Sequence, residues 1–142
     1  MNKISFSNSD IKFTLKNKKN ISAWIIETIE KEKKICGQIA YVFCSDDFLL
    51  DLNQRFLNHN TYTDIITFDY SEGKTLNGEM YISIDRVKEN AQKFEVDFEK
   101  ELLRVIIHGA LHLAGYKDKT NEQKEKMRKK EDAALMSYLK MF

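Results

Sequence analysis

The sequence predicts an α+β fold, in which helices pack on a mixed sheet of four strands. Some segments have apolar residues that alternate or run together, as in strands. They are interleaved with segments whose apolar residues recur every three or four positions, as in amphipathic helices. The chain of 142 residues contains no proline and no Gly/Ser-rich linker, so nothing in it marks a domain boundary. We therefore expect a single domain over residues 1–142, with about five helices around the sheet.

Four segments have the composition of strands. The segment Ile4–Leu15 contains two alternating stretches and predicts an N-terminal strand or a broken pair. Ile35–Cys44 is rich in aliphatic and aromatic residues. Asp64–Tyr70 and the alternating segment Glu79–Ile84 flank a turn-rich connection, Ser71–Gly78, and together they predict a hairpin with a long loop.

The helical segments carry recognisable N-terminal caps. Asn20 is expected to cap the first helix, Ser45 the second, Asp85 the third, and Thr120, in a capping box with Gln123, the last. The apolar residues expected on the inner faces are Ile21, Trp24, Ile25 and Ile29 of the first helix; Phe48, Leu49, Leu52, Phe56 and Leu57 of the second; Val87, Ala91 and Phe94 of the third; and Met127, Leu135, Tyr138, Leu139 and Phe142 of the last.

The remaining helix, expected over about Phe98–Ala114, is apolar on almost every side, which is typical of a helix buried in the core. Its polar residues fall on one stripe that ends in two histidines, and they are Glu101, Arg104, His108 and His112. A buried helix with a single polar stripe is typical of the wall of a cleft.

The two histidines indicate a metal site. His108 and His112 are four residues apart and share one face of the helix. Gly115 follows as the usual residue just beyond a helix end, so the chain turns back and can bring the carboxylate of Asp118 toward the imidazoles. Two His nitrogens, one carboxylate oxygen and an open position make a catalytic zinc site. The zinc-protease motif H-E-x-x-H has its general base after the first His, where this chain has Gly109.

A single histidine on an apolar helix is more often a core residue than a ligand. Two at this spacing would both need buried partners, and a metal satisfies both together. A pair of His with a carboxylate also occurs in iron(II) oxygenases, so the ligand set leaves the identity of the metal open.

Composition excludes several classes of protein. No apolar run approaches the roughly 20 residues of a membrane helix, and the N-terminus lacks the apolar core of a signal peptide, so we expect a cytoplasmic protein without membrane association. Cys36 and Cys44 lie too far apart on one strand for a disulfide and are expected to be reduced, buried thiols. The net charge of +1 does not by itself indicate a nucleic-acid-binding protein. The basic cluster from Lys117 to Lys130 is either a solvated helix face or a cationic rim.

Several motifs resemble those of a known family. His108–Asp118 reads HGALHLAGYKD and is similar to the signature H-G-x-L-H-x-x-G-Y-D-H of the YbeY endoribonucleases. Upstream, Leu52-Asn53, Thr63–Phe68 and Asn77–Ser83 resemble the family's L-N, T-D-V-L-S-F and L-G-D-I-x-I-S segments in the same order. The resemblance covers about residues 52–118.

Two positions depart from the family pattern. Where the family has its third metal-binding His, this chain has Asp118, preceded by Lys117 in place of an Asp. Where the family has an Arg five residues after the leucine of its L-N motif, this chain has Leu57. Arg55 and His59 lie near that position and are candidates to replace the Arg.

The resemblance implies a zinc-dependent endoribonuclease that acts on single-stranded ribosomal RNA, in 3′-end maturation of the small-subunit RNA and in ribosome quality control. One zinc per chain would be held by His108, His112 and Asp118, with ribosomal RNA and the small ribosomal subunit as partners. Asp64 or Glu79 would assist the metal-activated water. The residues that would contact RNA are Arg104, Lys117, Lys119, Arg55 and His59.

Two other functions stay open at this point. The protein could be a ribosome-associated RNA-binding factor whose metal is mainly structural, which the changes at Leu57 and Asp118 motivate. It could also be a metallohydrolase of another substrate, such as a peptide, although Gly109 removes the usual base of such enzymes.

Overall fold

The computed structural model describes residues 3–142, and in this range four strands and five helices follow one another. They are β1 (Ile4–Asn8), α1 (Lys18–Lys31), β2 (Ile35–Cys44), α2 (Asp46–Leu57), β3 (Ile65–Asp69), β4 (Thr75–Ser83), α3 (Ile84–Lys93), α4 (Phe98–Leu113) and α5 (Asn121–Met141). The α+β class and the numbers of strands and helices are as the sequence predicts. Met1 and Asn2, part of the N-terminus that we interpreted as unlike a signal peptide, lie outside the described residues.

The sheet is mixed and has the strand order β1-β2-β4-β3. β1 and β4 both run parallel to β2, and β3 pairs antiparallel with β4 in the hairpin that the sequence predicts. In this register Tyr41 of β2 lies between Phe6 of β1 and Met80 of β4. The hairpin therefore places β3 at one edge of the sheet, next to β4.

Helices cover both faces of the sheet. The main core packs α1, α4 and α5 against one face, and it includes Trp24, Tyr41 and Ile106, all fully buried. The hydroxyl of Tyr41 donates to the carbonyl of Ile106 over 2.8 Å, which ties α4 to the middle of the sheet. A smaller cluster around Leu49 and Ile66 lies under α2 on the other face. α4 is thus buried as its apolar sequence predicts.

Two of the four predicted caps are correct. The hydroxyl of Ser45 accepts from the backbone N–H of Phe48 at the start of α2. Thr120 and Gln123 form the reciprocal capping box at the start of α5. Cys36 and Cys44 are free, buried thiols, as expected, and burial raises the pKa of Cys44 to about 12.

The other two caps are wrong. Helix α1 begins before Asn20, at Lys18, and follows Asn17, which has a positive φ and no side-chain cap bond. Ser83 caps α3, since its hydroxyl accepts from the N–H of Arg86, and Asp85 lies in the first turn.

Strand boundaries also differ from the prediction. Only Ile4–Asn8 of the predicted N-terminal strand pairs with β2; Ile11, Phe13 and Leu15 pack on the core from irregular backbone. β4 begins at Thr75, inside the segment predicted as a connection, because the loop of the hairpin is short.

Several apolar residues predicted to face inward are exposed. Their relative exposures are 63% for Phe56, 45% for Leu57, 54% for Phe94, 73% for Leu139 and 53% for Phe142. All lie at or near the C-terminal ends of helices. There the apolar pattern of the sequence continues past the last turn that packs against a neighbouring element. No helix among residues 3–142 is both long and apolar enough to span a membrane.

Candidate active site

Gly109 allows α4 to lie close against the sheet. A Cβ at this position would overlap the Sδ atom of Met80 and lie 2.9 Å from Cδ1 of Ile65. Position 109 therefore faces the sheet, while His108 and His112, both partly buried, border solvent. A protease-like Glu after the first histidine would point into the core and away from the cleft.

The turn after α4 is set by Gly115. Its φ of 111° is open to glycine and strained for other residues. The N–H of Gly115 donates to the carbonyl of His112, and the N–H of Tyr116 donates to the carbonyl of Leu111, which together form a Schellman motif. The hydroxyl of Tyr116 also donates to Glu32, the residue that follows α1, over 2.6 Å. This anchored turn sends the chain back across the end of α4.

The turn brings Asp118 to both histidines. The Nε2 atom of His108 lies 3.2 Å from Oδ2 of Asp118, and the Nε2 atom of His112 lies 3.5 Å from Oδ1. One ligand atom from each of the three residues lies within 4.8 Å of the others, and all three side chains are partly buried. The structure thus gathers the three residues that the sequence selects as metal ligands.

A buried carboxylate orients the first histidine. Glu131 of α5 is only 5% exposed, and its Oε2 atom lies 2.6 Å from Nδ1 of His108. Because an ionised carboxylate only accepts hydrogen bonds, Nδ1 carries the proton, and the Nε2 atom of His108 faces Asp118. The other oxygen of Glu131 accepts from Arg104, which also donates to Asp132. A histidine that binds a metal through one ring nitrogen commonly donates the N–H of the other to a carboxylate, which fixes the orientation of the ring.

The electrostatics of the cluster suit a cation. Burial alone would lower the pKa of His108, but the hydrogen bond to Glu131 overrides it and the pKa is raised. Burial lowers the pKa of His112, and the neighbouring His108 lowers it further. The pKa of Glu131 is lowered, since the hydrogen bonds from His108 and Arg104 outweigh its burial. Carboxylates on two sides of the imidazoles therefore favour positive charge between them, and the donor set fits a divalent metal.

A cleft of about 290 Å³ opens beside this cluster. His108 and Asp118 form part of its wall, and other lining residues are Asp64, Phe94, Glu101 and Arg128. The cleft gives a substrate direct access to the side of the centre where Asp118 lies.

The structure separates the two predicted assisting carboxylates. Asp64 immediately precedes β3, is half-buried and lines the cleft; burial raises its pKa. Glu79 lies on the opposite face of the sheet, since Met80 faces α4 and alternate residues of a strand face opposite ways. Its carboxylate accepts from the hydroxyls of Tyr70 and Tyr81. Only Asp64 is placed to take part in the site.

The residues predicted to contact RNA are also divided. Lys117 and Lys119 are exposed on either side of Asp118. The guanidinium of Arg104 lines the cleft but is occupied by Glu131 and Asp132. Arg55 pairs with Asp51 on the surface of α2, and His59 is exposed in the loop after that helix; neither lines the cleft.

Sequence reasoning missed Glu131 and Phe94 as parts of the site, and it included Arg128 only within the basic cluster from Lys117 to Lys130. For Glu131 a signal was available, since it lies on the buried stripe of α5 with Met127, Ala134 and Leu135, and an acid on such a stripe needs a buried partner. Asn53 of the L-N motif has a structural role: its side chain donates to the carbonyl of Thr61 and holds the loop before β3.

Comparisons with known proteins agree with this architecture. A family model described as Endoribonuclease YbeY matches residues 3–139. A protein named Endoribonuclease YbeY from Flavobacterium psychrophilum is 50% identical over 132 residues, covering 93% of this chain and 94% of the relative. One of the same name from Cytophaga hutchinsonii is 50% identical over 133 residues and 93% of each chain.

A solved structure matches as well. The solution structure of a Thermotoga maritima protein is 33% identical and superposes with a TM-score of 0.63, over 96% of this chain and 92% of that one. Since the family model spans nearly the whole chain and relatives match half of its residues, the chain belongs to the Endoribonuclease YbeY family.

Proposed function

We propose that this protein is a zinc-dependent endoribonuclease that hydrolyses single-stranded RNA at the centre formed by His108, His112 and Asp118. The observation that carries the proposal is the convergence of these three side chains beside a cleft that His108 and Asp118 line, in a member of an endoribonuclease family. The ligand set alone does not select zinc; the family resemblance favours zinc over iron(II).

In the proposed hydrolysis, different residues of the chain have different roles. His108 and His112 present Nε2 atoms toward Asp118, and Glu131 keeps the proton of His108 on the opposite ring nitrogen. When bound, the metal would lower the pKa of a water molecule and polarise the phosphoryl oxygen. Asp64, the half-buried carboxylate of the cleft, would accept a proton from the attacking water.

The cleft favours a single strand as substrate. Its volume of about 290 Å³ suits one unstacked nucleotide better than a duplex. The exposed Lys117 and Lys119 flank the centre and supply positive charge for the RNA backbone. The family resemblance supports small-subunit ribosomal RNA as the substrate, with 3′-end maturation and ribosome quality control as the cytoplasmic roles.

The test combines metal content with RNA cleavage. Protein purified without chelator is analysed by elemental mass spectrometry and assayed on a single-stranded RNA, for the wild type, Asp118→Ala and His112→Ala. We expect about one zinc per chain in the wild type. Loss of zinc and of cleavage is expected in both variants, because each lacks one ligand. His59→Ala is the control, since His59 is the histidine that lies outside the cluster with Asp118, and its removal should change neither quantity.

Two results would contradict the proposal. One is a wild-type protein that contains no metal and does not bind added zinc. The other is RNA cleavage by His112→Ala at the wild-type rate, which would place the activity elsewhere.

One observation favours a second candidate, a ribosome-associated RNA-binding factor with a structural metal. Leu57, at the position of the family Arg, is exposed, and neither Arg55 nor His59 reaches the cleft in its place. Tight binding to the small ribosomal subunit without RNA cleavage would support this candidate. A peptide hydrolase is not favoured, because position 109 faces the sheet.

A further inference from the structure

Glu101 is a buried carboxylate that has no hydrogen-bond or ion-pair partner among residues 3–142. It lies on the polar stripe of α4, is 7% exposed and lines the cleft. Within residues 3–142 its side chain makes no hydrogen bond or ion pair. Every side-chain polar atom that is fully enclosed in this range has a hydrogen-bond partner, so the oxygens of Glu101 are not fully enclosed. Its oxygens therefore open into the cleft. Burial and the nearby Asp64 raise the pKa of Glu101, and the positive charges of Arg104 and Arg128 offset this only in part.

Phe94 forms an aromatic wall of the same cleft. The residue ends α3, and its ring is 54% exposed, which is a costly position for a large apolar side chain. In the described part of the chain it packs on no other aromatic ring; the ammonium of Lys93 lies 5.7 Å from its centre. An exposed ring at a cleft mouth is suited to stacking on a planar ligand.

Arg128 supplies positive charge at the cleft. It is exposed on α5, and no carboxylate of residues 3–142 lies within ion-pair distance of its guanidinium. Arg104, the other arginine of the cleft, is bound to Glu131 and Asp132. Arg128 is thus the lining arginine that is available to a phosphate.

We propose that this cleft is a nucleotide subsite, in which Phe94 stacks on an RNA base, Glu101 accepts hydrogen bonds from that base, and Arg128 pairs with a phosphate. The proposal rests on the proposed cleavage of RNA at the adjacent centre and names the part of the substrate that the cleft selects. Stacking on an aromatic side chain requires an unstacked base, so the subsite requires single-stranded RNA.

The carboxylate predicts which base is preferred. Guanine presents two adjacent N–H donors on its Watson–Crick edge, which match the two oxygens of a carboxylate. Uracil presents one N–H between two carbonyl oxygens, and these repel a carboxylate. The subsite therefore prefers guanine to uracil.

Binding to metal-free protein tests the subsite without any need for cleavage. Fluorescence anisotropy in the presence of chelator compares an oligouridine with the same oligomer carrying one guanosine. We expect the wild type to bind the guanosine oligomer more tightly and Glu101→Gln to lose this difference. Glu99→Gln, an exposed change on the same helix, is the control and should keep it.

The aromatic wall is tested with the same oligomers. Phe94→Ala should weaken binding of both by about tenfold, because one stacked base is lost. Phe142→Ala is the control, since that ring is equally exposed and does not line the cleft. Both Phe94 and Phe142 are surface residues, so the variants should fold, and circular dichroism checks this.

The outcomes separate this proposal from the proposed function. If Glu101→Gln keeps the guanosine preference, or Phe94→Ala binds as the wild type does, the subsite is wrong even if the protein cleaves RNA at the metal centre. If the binding results follow the prediction and the wild type with zinc does not cleave RNA, the subsite holds and the enzymatic function is wrong.

Discussion

Glu131 links the proposed metal site to helix α5. It accepts hydrogen bonds from His108 and from Arg104 while almost fully buried. Glu131→Gln removes the charge that orients the imidazole, so we expect zinc affinity to fall by about 10- to 100-fold. Competition with a chromophoric chelator measures this. Glu125→Gln, exposed on the same helix, is the control, and equal affinities of the two variants would show that Glu131 does not support the centre.

Asp118 depends on the elements at either end of its loop. Two residues further on, Thr120 begins α5 with a capping box. Thr120→Ala removes the acceptor for the N–H of Gln123, and we expect a loss of about 1 kcal/mol in the free energy of unfolding. Urea denaturation measures this, and Thr120→Ser, which keeps the hydroxyl, should retain most of the stability. A Ser variant as unstable as the Ala variant would contradict the role of the cap.

The contact between α1 and the turn after α4 predicts a pH dependence. Glu32 accepts from Tyr116 and Lys130, and these bonds lower its pKa below 4.5 although burial alone would raise it. The stabilisation is therefore complete above about pH 4.5 and is lost as the pH falls through the lowered pKa of the folded state. Glu32→Gln should be less stable than the wild type at pH 7, and the difference should shrink below pH 4.5.

Thermal unfolding across this pH range, followed by circular dichroism, measures the difference. Glu30→Gln, an exposed change in the last turn of α1, is the control and should show little effect at any pH. A stability difference for Glu32→Gln that is independent of pH would mean that the charge of Glu32 is not responsible.

At the scale of the whole molecule, the elements share one main core. Trp24, the single tryptophan of the chain, lies on α1 and is fully buried against α5. Its Nε1–H donates to the carbonyl of Ala134 over 2.7 Å. We expect Trp24 fluorescence and far-ultraviolet circular dichroism to report one coincident unfolding transition in urea, as for a single domain. Two separated transitions would contradict a single cooperative unit.

The sequence by itself determined the types of the elements and the candidate ligand triad. The four-residue spacing of His108 and His112, the helix end at Gly115 and the return to Asp118 are all encoded within eleven consecutive residues. Local backbone preferences decide such features, because the period of a helix and its end at a glycine depend only on residues close together in the sequence. The types of all nine described elements follow from the same kind of signal.

Only the tertiary structure decided what surrounds the triad. Glu131 reaches His108 across 23 residues of sequence, and that contact depends on how α5 packs against α4. The pleat of β4 and the position of β3 decided that Asp64, and not Glu79, lines the cleft. Phe94 has the spacing of a core residue, yet it is exposed because none of the elements within residues 3–142 covers the end of α3. Burial and long-range contacts depend on how elements pack together, and the periodicity of one segment does not record that packing.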